Sequence, residues 1–397
     1  MTGTTGQRIA IVQRLIPHYR VEMFNFLAAD LARDGIKLTV FAGAAQPQEG
    51  LSDSREQVAC CRPVRNRYLP AGMWWQPLVR ELADYDLVIL EQANGALINY
   101  PTLLLRAFRG NIVAFWGHGT HFQAGDGFSF RKTLKNRLLR AVDYWFAYTS
   151  LSRDIVAAAG FPPERITTLE NSQRTETVLL TAQERAGLRE EIGIGQRPMA
   201  VFCGRLVPQK AIGFLLDACR SARGTGIDLQ LALVGGGALE DWIKAQAERE
   251  PWIHPLGPRY GTEKARLLAA ADVFAMPATI GLSILDAFAA GLPVAVADFA
   301  NHSPEIVYLT DGVNGIVTPA TAEAYGAGLA RLILDEEERL RMSAAARATA
   351  QRYTVENMAR NFAAGIERAL SLAPRTQTTL PVAHNRHGGK RWLFRHR

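Results

Sequence analysis

Short apolar runs alternate with longer amphipathic stretches along most of the chain. The runs are rich in β-branched and aromatic residues, which predicts buried strands. The eleven predicted strands are residues 8–12, 36–42, 86–90, 112–116, 144–148, 166–169, 199–203, 228–234, 273–276, 293–297 and 315–317. The stretches between them repeat apolar residues every three or four positions, which predicts helices, for example at 21–33, 129–142, 212–222 and 283–290.

Continuous apolar strands separated by helices predict parallel sheets that helices cover on both faces. Eleven strands exceed the usual size of one sheet, and residues 172–197 are polar and contain no predicted strand. We therefore expect an α/β protein of two doubly wound, Rossmann-like domains that face each other across a cleft. The expected limits are 1–174 and 175–352, followed by a helix at 353–372 that returns toward the N-terminal domain and a mobile basic tail at 373–397.

The composition excludes several classes of protein. Hydrophobic residues make up 48% of the 397 and charged residues 21%, which are globular values and exclude collagen, coiled coils and intrinsic disorder. No segment reaches the roughly 18 uncharged apolar residues of a membrane-spanning helix. The N-terminal residues lack the apolar core of a secretory signal, and adjacent Cys60 and Cys61 do not suggest a disulfide framework. We therefore expect reduced cysteines and a cytoplasmic location.

The net charge of +7 is concentrated at the C-terminus. Residues 374–397 contain six lysines and arginines and no acidic residue, so this segment carries +6 and the remaining chain +1. A nearly neutral body excludes a nucleic-acid partner recognised through overall charge.

Ligands of parallel sheets bind beyond the carboxyl ends of the strands, so the loops after the strands are where we expect a site. The first such loop reads GRLVPQK from Gly204 to Lys210. Gly204 allows a sharp turn, and the two cations Arg205 and Lys210 suit a diphosphate whose departure as an anion they would stabilise. By themselves the two cations are more typical of a solvated loop than of a binding site.

Three more loops follow predicted strands. Gly235 to Gly237 could present backbone N–H groups, Gly236 among them, to an anion or simply form a tight turn. A dinucleotide fingerprint fits poorly, because Glu240 stands where its third glycine would be. In residues 277–294, Gly281 is expected to open a helix and Asp286 to lie one turn inside, where it could accept hydrogen bonds from a vicinal diol or from backbone. Glycines flank His118 and free its ring to point into the cleft, although a structural histidine is an equal alternative.

The order of these motifs, followed by HSPEI and DGVNGIV, resembles the retaining nucleotide-sugar glycosyltransferases of family 4, over about residues 7–372. The resemblance implies the GT-B fold and a nucleoside diphosphate sugar as donor. It also implies roles for individual residues: donor diphosphate at Arg205 and Lys210, ribose at Asp286, phosphate at the N–H groups of Leu282 and Ser283, donor sugar at His118, and acceptor near Tyr19 and Arg20.

The sequence departs from the family in two places. The family has two glutamates separated by seven residues, and here those positions hold Ala278 and Asp286. The first glutamate contacts donor-sugar hydroxyls in the family, so its loss leaves the donor's identity open. The loop after the first strand also lacks the family's usual glycines. An inactive nucleotide-binding subunit and a GT-B nucleotide-sugar epimerase therefore remain alternatives.

Three basic segments indicate a membrane surface. Residues 129–142 combine a stripe of apolar residues with five cations and no acid, which is typical of an interfacial helix but also of a core helix with a solvated face. Residues 61–75 mix arginines with aromatics, and the tail ends in KRWLFRHR. A lipid-linked acceptor would explain all three segments.

The sequence therefore predicts a cytoplasmic, retaining glycosyltransferase that is peripheral on the inner face of the cell membrane. Its expected partners are a nucleoside diphosphate sugar, a lipid-linked or glycan acceptor and an anionic membrane. No Asp-x-Asp pair stands at the end of a predicted strand, so we expect no metal and no other cofactor.

Overall fold

The computed structural model describes residues 6–46, 53–119 and 139–372. These residues form two parallel sheets, one of seven strands and one of six, together with a small antiparallel ribbon. No helix in the described ranges has both the length and the apolar character that crossing a bilayer requires.

The first sheet has the strand order β3-β2-β1-β6-β7-β8-β9. Its strands are β1 (Arg8–Gln13), β2 (Lys37–Ala42), β3 (Cys61–Pro63), β6 (Leu87–Glu91), β7 (Ile112–Gly117), β8 (Tyr144–Ala147) and β9 (Ile166–Thr168), and β4 (Arg67–Leu69) pairs with β5 (Met73–Trp75) in the ribbon. Strand β1 lies in the interior of the sheet between β2 and β6, with Arg8 opposite Lys37 of β2. Apolar side chains cover both of its faces, which is the reason that the strand reads as a continuous apolar run.

The second sheet has the order β12-β11-β10-β13-β14-β15. Its strands are β10 (Met199–Cys203), β11 (Gln230–Val234), β12 (Ile253–Gly257), β13 (Val273–Ala275), β14 (Val294–Ala297) and β15 (Gly315–Thr318). Every residue of β10, β11 and β14 is buried. This sheet forms a core of its own that is separate from the core of the first sheet.

Helices connect and cover the strands of both sheets. They are α1 (Val21–Arg33), α2 (Asn99–Arg109), α3 (Ser150–Ala158), α4 (Ala182–Glu191), α5 (Ile212–Arg223), α6 (Glu240–Arg249), α7 (Gly261–Ala270), α8 (Ser283–Ala289), α9 (Ala322–Leu334), α10 (Glu336–Arg352) and α11 (Val355–Leu370). The two-sheet α/β architecture predicted from the sequence is confirmed. All eleven predicted strands are present, with bounds that differ by at most two residues.

The strands that the sequence pattern did not predict are β3, β4, β5 and β12. Strand β12 contains Pro255, which lacks an N–H group to donate, and it lies at the edge of its sheet, where proline is tolerated. The other three are short and lie within residues 61–75, where arginines and prolines interrupt the apolar residues.

Helix α4 fastens the polar stretch between the sheets to the second sheet. Arg185 and Arg189 donate to Asp272 at 2.7 and 2.8 Å, and the same carboxylate accepts from the N–H of Met199 at the start of β10. Arg189 and Asp272 are both largely buried, so each charge depends on the other for its compensation.

The last helix, α11, packs against α1 and completes the core of the first sheet. The Thr354 side chain caps the helix by accepting from the N–H of Asn357 at 3.1 Å. Its fully buried Phe362 lies against Trp116 and Phe146, with ring centroids 5.0 and 4.6 Å apart. The chain therefore returns to its N-terminal half after it has built the second sheet.

We expect Phe362→Ala to lower the free energy of unfolding by about 3–5 kcal/mol, because it leaves a cavity in the core shared by α11 and the first sheet. Denaturant titration followed by circular dichroism measures this. The matched control is Glu367→Ala on the exposed side of the same helix, expected to change stability by about 0.5 kcal/mol or less. Equal stabilities of the two variants would show that α11 is not part of the core.

Candidate functional site

The predicted site residues lie on loops that follow strands of both sheets. His118 comes directly after β7 in the first sheet. In the second sheet, Gly204 follows β10, the three-glycine loop follows β11, and the segment from Pro277 to Gly281 follows β13. Parallel strands bring these loops to one edge of each sheet, as the sequence analysis expected.

Lys210 is held between two loops of the second sheet. It ends the short 3-10 helix Pro208–Lys210, and its Nζ donates to the backbone oxygen of Thr279 at 2.6 Å. The Thr279 hydroxyl in turn donates to the oxygen of Gln209 at 3.0 Å, so the two loops bind each other twice. Burial, followed by the charge of Arg205, lowers the pKa of Lys210 to about 8.

Arg205 completes a pair of cations at this edge. Its side chain is exposed, and no carboxylate among the described residues forms an ion pair with it. An exposed guanidinium beside a partly buried ammonium provides two positive charges without a counterion. Such an arrangement favours an anion at this place.

The three-glycine loop packs directly on the Gly204 loop. Gly235 and Gly237 have positive φ values of 149° and 152°, and a Cβ at either would clash with backbone oxygens of Gly204 or Leu206. Gly236 accepts from the N–H of Leu206 at 2.9 Å, and the N–H of Gly237 donates to Glu240 at 2.6 Å. The glycines thus permit close backbone packing, which is the tight-turn interpretation of this motif.

Gly281, Leu282 and Ser283 lead into α8, which is only seven residues long. Asp286 of this helix is almost completely buried. Its carboxylate accepts from Lys264 Nζ at 2.8 Å and from Gln173 Nε2 at 2.9 Å. Burial raises the pKa of Asp286, and the contacts of Lys264 and Gln173 oppose that rise.

The HSPEI segment, residues 302–306, forms hydrogen bonds to the backbone of Ile280, directly before Gly281. His302 accepts from the N–H of Ile280 at 3.3 Å through Nδ1, so its Nε2 carries the proton that it donates to Ala297 O at 2.8 Å. Burial lowers the pKa of His302, which keeps this neutral form. The N–H of Ser303 donates to Ile280 O at 2.9 Å. Glu305, two residues later, is buried beside Gly281.

The segment from Asn171 to Gln173 connects the two sheets at their functional edges. Asn171 Nδ2 donates to the carboxylate of Glu305, and Gln173 donates to Asp286. Two amide side chains, two positions apart, thus bind the two buried carboxylates of the second domain. Sequence analysis missed Asn171, Gln173, Lys264 and Glu305, and the signal present was the HSPEI motif, which contains Glu305.

Arg20, predicted to border the acceptor, is turned into the protein. Its guanidinium donates to Asn171 Oδ1 and to the oxygen of Ser172, and only 6% of the residue is exposed. The guanidinium carbon lies 5.3–5.5 Å from the ring centroids of Tyr19, Trp116 and Tyr148. Arg20 therefore holds the connecting segment in place, because a buried cation must keep its acceptors. Tyr19 is partly exposed at the same edge.

His118 joins this cluster through Tyr148. The two ring centroids are 4.3 Å apart, and Tyr148 also lies beneath the Arg20 guanidinium. A continuous series of contacts thus runs from His118 through Tyr148, Arg20 and Asn171 to Glu305. This series links the predicted histidine of the first domain to the HSPEI motif of the second.

The predicted membrane segments are only partly described. Most of residues 129–142 and the whole tail at 373–397 lie outside the described residues. Leu139 and Val142, at the end of the first segment, are buried. Residues 61–75 contain β3, β4 and β5 and place Trp74 in the interior, with Arg14 over its ring, so that tryptophan is not available to a membrane.

Among the described residues, no group of three or more histidine, cysteine, aspartate or glutamate side chains could hold a metal ion. All four cysteines are free thiols.

The second sheet matches a known family model. Residues 197–335 match the model described as glycosyl transferases group 1. This region contains both cations, the three-glycine loop, Gly281 and Asp286.

Curated relatives cover more of the chain. A GDP-mannose-dependent alpha-(1-6)-phosphatidylinositol monomannoside mannosyltransferase of Mycolicibacterium smegmatis is 29% identical over 330 residues, which are 78% of this chain and 85% of the relative. The amylovoran biosynthesis glycosyltransferase AmsK of Erwinia amylovora is 27% identical and covers 67% of this chain and 65% of its own length.

The fold is also similar to solved structures. The crystal structure of Anabaena HepE in complex with UDP superposes with a TM-score of 0.69 at 19% identity and covers 91% of this chain and 99% of HepE. At this identity the likeness concerns the fold, two facing Rossmann-like domains. The family match, the relatives and the fold confirm the resemblance that the motifs indicated: the chain is a glycosyltransferase with the GT-B fold.

Proposed function

We propose that this enzyme transfers a sugar, with retention and without a metal, from a nucleoside diphosphate donor to a lipid-linked or glycan acceptor. The observation that carries the proposal is the pair Arg205 and Lys210 at the edge of the second sheet, inside the region that matches the glycosyltransferase family. Two cations, one of them partly buried, that have no ion-pair partner among the described residues suit a diphosphate.

The donor would lie across the loops of the second sheet. The diphosphate would contact Arg205 and Lys210, near the backbone of Gly204, Leu282 and Ser283. Asp286 would bind the ribose, because a carboxylate has lone pairs beyond those used by Lys264 and Gln173. The sugar would then extend toward His118 of the first domain.

In the transfer, the bond between the anomeric carbon and the leaving phosphate oxygen breaks, and its electron pair goes to that oxygen. A hydroxyl of the acceptor forms the new bond on the same face of the sugar, and its proton goes to the leaving phosphate. Charge grows on the leaving oxygen as the bond breaks. Fixed cations at Arg205 and Lys210 therefore stabilise the transition state more than the bound donor.

The acceptor side is supported by the relatives and by one exposed face. The mycobacterial relative acts on a phosphatidylinositol mannoside according to its name, and AmsK acts in polysaccharide biosynthesis. On α2 of the first domain, Tyr100, Leu104 and Phe108 recur every four residues and are 44, 72 and 79% exposed. The helix contains no acidic residue. This apolar face suits the surface of a membrane that carries the acceptor.

Charge favours an anionic membrane as the surface that α2 contacts. Arg106 of α2 pairs with Asp143, just after residues 129–142, which contain five cations and no acid. We therefore propose a peripheral location on the inner face of the cell membrane.

The domain limits of 1–174, 175–352 and 353–372 also stand as a proposal, supported by the two sheets and by the contact of α11 with α1.

Lys210→Ala should lower kcat by about 10²–10³ and change donor affinity much less, because the ammonium acts mainly on charge that develops in the transition state. Release of nucleoside diphosphate from GDP-mannose or UDP-glucose, whichever the enzyme turns over, measures kcat. The control is Lys244→Ala, an exposed lysine of α6. EDTA should leave the wild-type rate intact. A Lys210→Ala rate close to wild type, or activity lost in EDTA and restored by Mg²⁺, would contradict this mechanism.

Nucleoside diphosphate binding should weaken as the pH rises. Lys210 has a pKa of about 8 in the free enzyme and binds a diphosphate as a cation, so above pH 8 binding must take up a proton. We expect the affinity for GDP or UDP to fall by about tenfold between pH 7 and pH 9 from this group. Calorimetry at both pH values measures it. Arginine stays charged over this pH range, so the affinity of Lys210→Arg should depend much less on pH. An equal pH dependence in both proteins would show that another group causes it.

The double variant Leu104→Glu with Phe108→Glu should weaken binding to phosphatidylglycerol vesicles by about tenfold or more, because it removes two apolar anchors and adds negative charge. Co-sedimentation with vesicles measures binding. Leu334→Glu, at an equally exposed leucine of the second domain, is the control and should bind like the wild type. If both variants bind equally, α2 does not face the membrane.

A further inference from the structure

Glu305 is a buried carboxylate with few partners. It lies in the 3-10 helix Pro304–Tyr308, and only 3% of it is exposed. Asn171 is the one side chain among the described residues that donates a hydrogen bond to it, through Oε1. An ionised carboxylate out of water needs several donors, so the second oxygen, Oε2, is available for another.

The position of Oε2 places it at the loop that leads into α8. It lies 3.8 Å from the point that a Cβ of Gly281 would occupy, and Ser303 Oγ lies 3.3 Å from the same point. Because Gly281 has no side chain, the Glu305 carboxylate and the Ser303 hydroxyl lie close to the backbone of this loop. Ala278, on the same loop, contributes no polar side-chain atom.

The hydrogen bond between Asn171 and Oε1 of Glu305 is fixed by Arg20 of the first domain. Arg20 donates to Asn171 Oδ1, which orients the amide so that Nδ2 faces Glu305. Tyr308 Oη donates to the backbone oxygen of Asn171 at 3.0 Å, which fixes the main chain as well. Burial raises the pKa of Glu305, and the hydrogen bonds from Asn171 and from its own backbone, together with the charge of Arg20, oppose that rise.

We propose that Glu305 binds a hydroxyl group of the donor's sugar ring through Oε2, and that Asn171 and Arg20 position it for this contact. Sugar hydroxyls are donors, and a carboxylate fixed on one oxygen binds one of them in a single orientation. The inference rests on the proposed function, because it assumes that the donor's sugar extends from Lys210 toward His118. Within that site, Glu305 supplies a carboxylate beside the loop that contains Ala278 and Gly281.

This role predicts that a change at Glu305 affects the affinity for a nucleotide sugar but not the affinity for a nucleoside diphosphate. A nucleoside diphosphate carries no sugar beyond its phosphates, so its affinity does not depend on Glu305. A nucleotide sugar loses a charge-assisted hydrogen bond when Glu305 is changed to an uncharged residue. Glu305→Gln keeps the volume of the side chain and should lower nucleotide-sugar affinity by about 10- to 100-fold while leaving nucleoside diphosphate affinity unchanged.

The experiment compares the affinities of GDP, UDP, GDP-mannose and UDP-glucose for wild type, Glu305→Gln and the exposed control Glu323→Gln by calorimetry. We expect the loss for Glu305→Gln alone and for the nucleotide sugar alone. Asn171→Ala should show a smaller loss of the same kind, since it releases the carboxylate without removing it. Equal losses for nucleotide and nucleotide sugar would show that Glu305 only maintains the fold, and would overturn the proposal.

Deoxy analogues of the nucleotide sugar test the same contact in the wild-type enzyme, independently of whether any variant folds. Removal of one particular hydroxyl should lower affinity by about tenfold or more, and the same removal should cost little further in Glu305→Gln. If no single hydroxyl matters to the wild type, the proposal fails. If the wild type binds none of the four nucleotides, the proposed function itself fails, which is a different result.

Discussion

The contact between the segment Asn171–Gln173 and two buried carboxylates is the interaction on which the site depends. Asn171 binds Glu305 and Gln173 binds Asp286, and both carboxylates belong to the second domain. Arg20 of the first domain holds Asn171 in turn. Buried charges tolerate little displacement, because each would lose its compensation as soon as its partner moved. These contacts therefore hold the two halves of the molecule together at the place proposed for the donor.

Charge is distributed unevenly between the two sides of this contact. Within the described part of the chain no carboxylate pairs with Lys210 or Arg205, whereas Asp286 pairs with Lys264. The two cations therefore favour the binding of an anion, whereas the negative charge of Asp286 is already balanced by Lys264. Because burial lowers the pKa of Lys210 to about 8, an anion bound beside it would favour the protonated ammonium, and this coupling would be largest above that pH.

The sequence was sufficient for the strands and for the loops that follow them, since continuous apolar runs have few other uses in an α/β protein. It was sufficient to single out Lys210 and Asp286, because their motifs follow strands. It could not reveal the partners. Asn171 and Glu305 are 134 positions apart, and only the folded chain brings them together. Because Arg20 follows the first strand, the sequence suggested that its side chain faces the cleft. The guanidinium instead lies inside the protein against the rings of Trp116 and Tyr148, which are distant in sequence and so invisible to a local pattern.

The return of α11 to the first sheet has a consequence for biosynthesis. The ribosome releases the residues of the second sheet before it releases Val355–Leu370, although these last residues belong to the core of the first sheet. During translation the first sheet is complete in its strands but lacks the aromatic side of its core, with Trp116 and Phe146 uncovered until Phe362 emerges. The usual vectorial order is thereby reversed, and the half that is synthesised second is the first able to fold to completion. In a nascent chain the aromatic core of the amino-terminal half therefore stays incomplete until Val355–Leu370 has emerged.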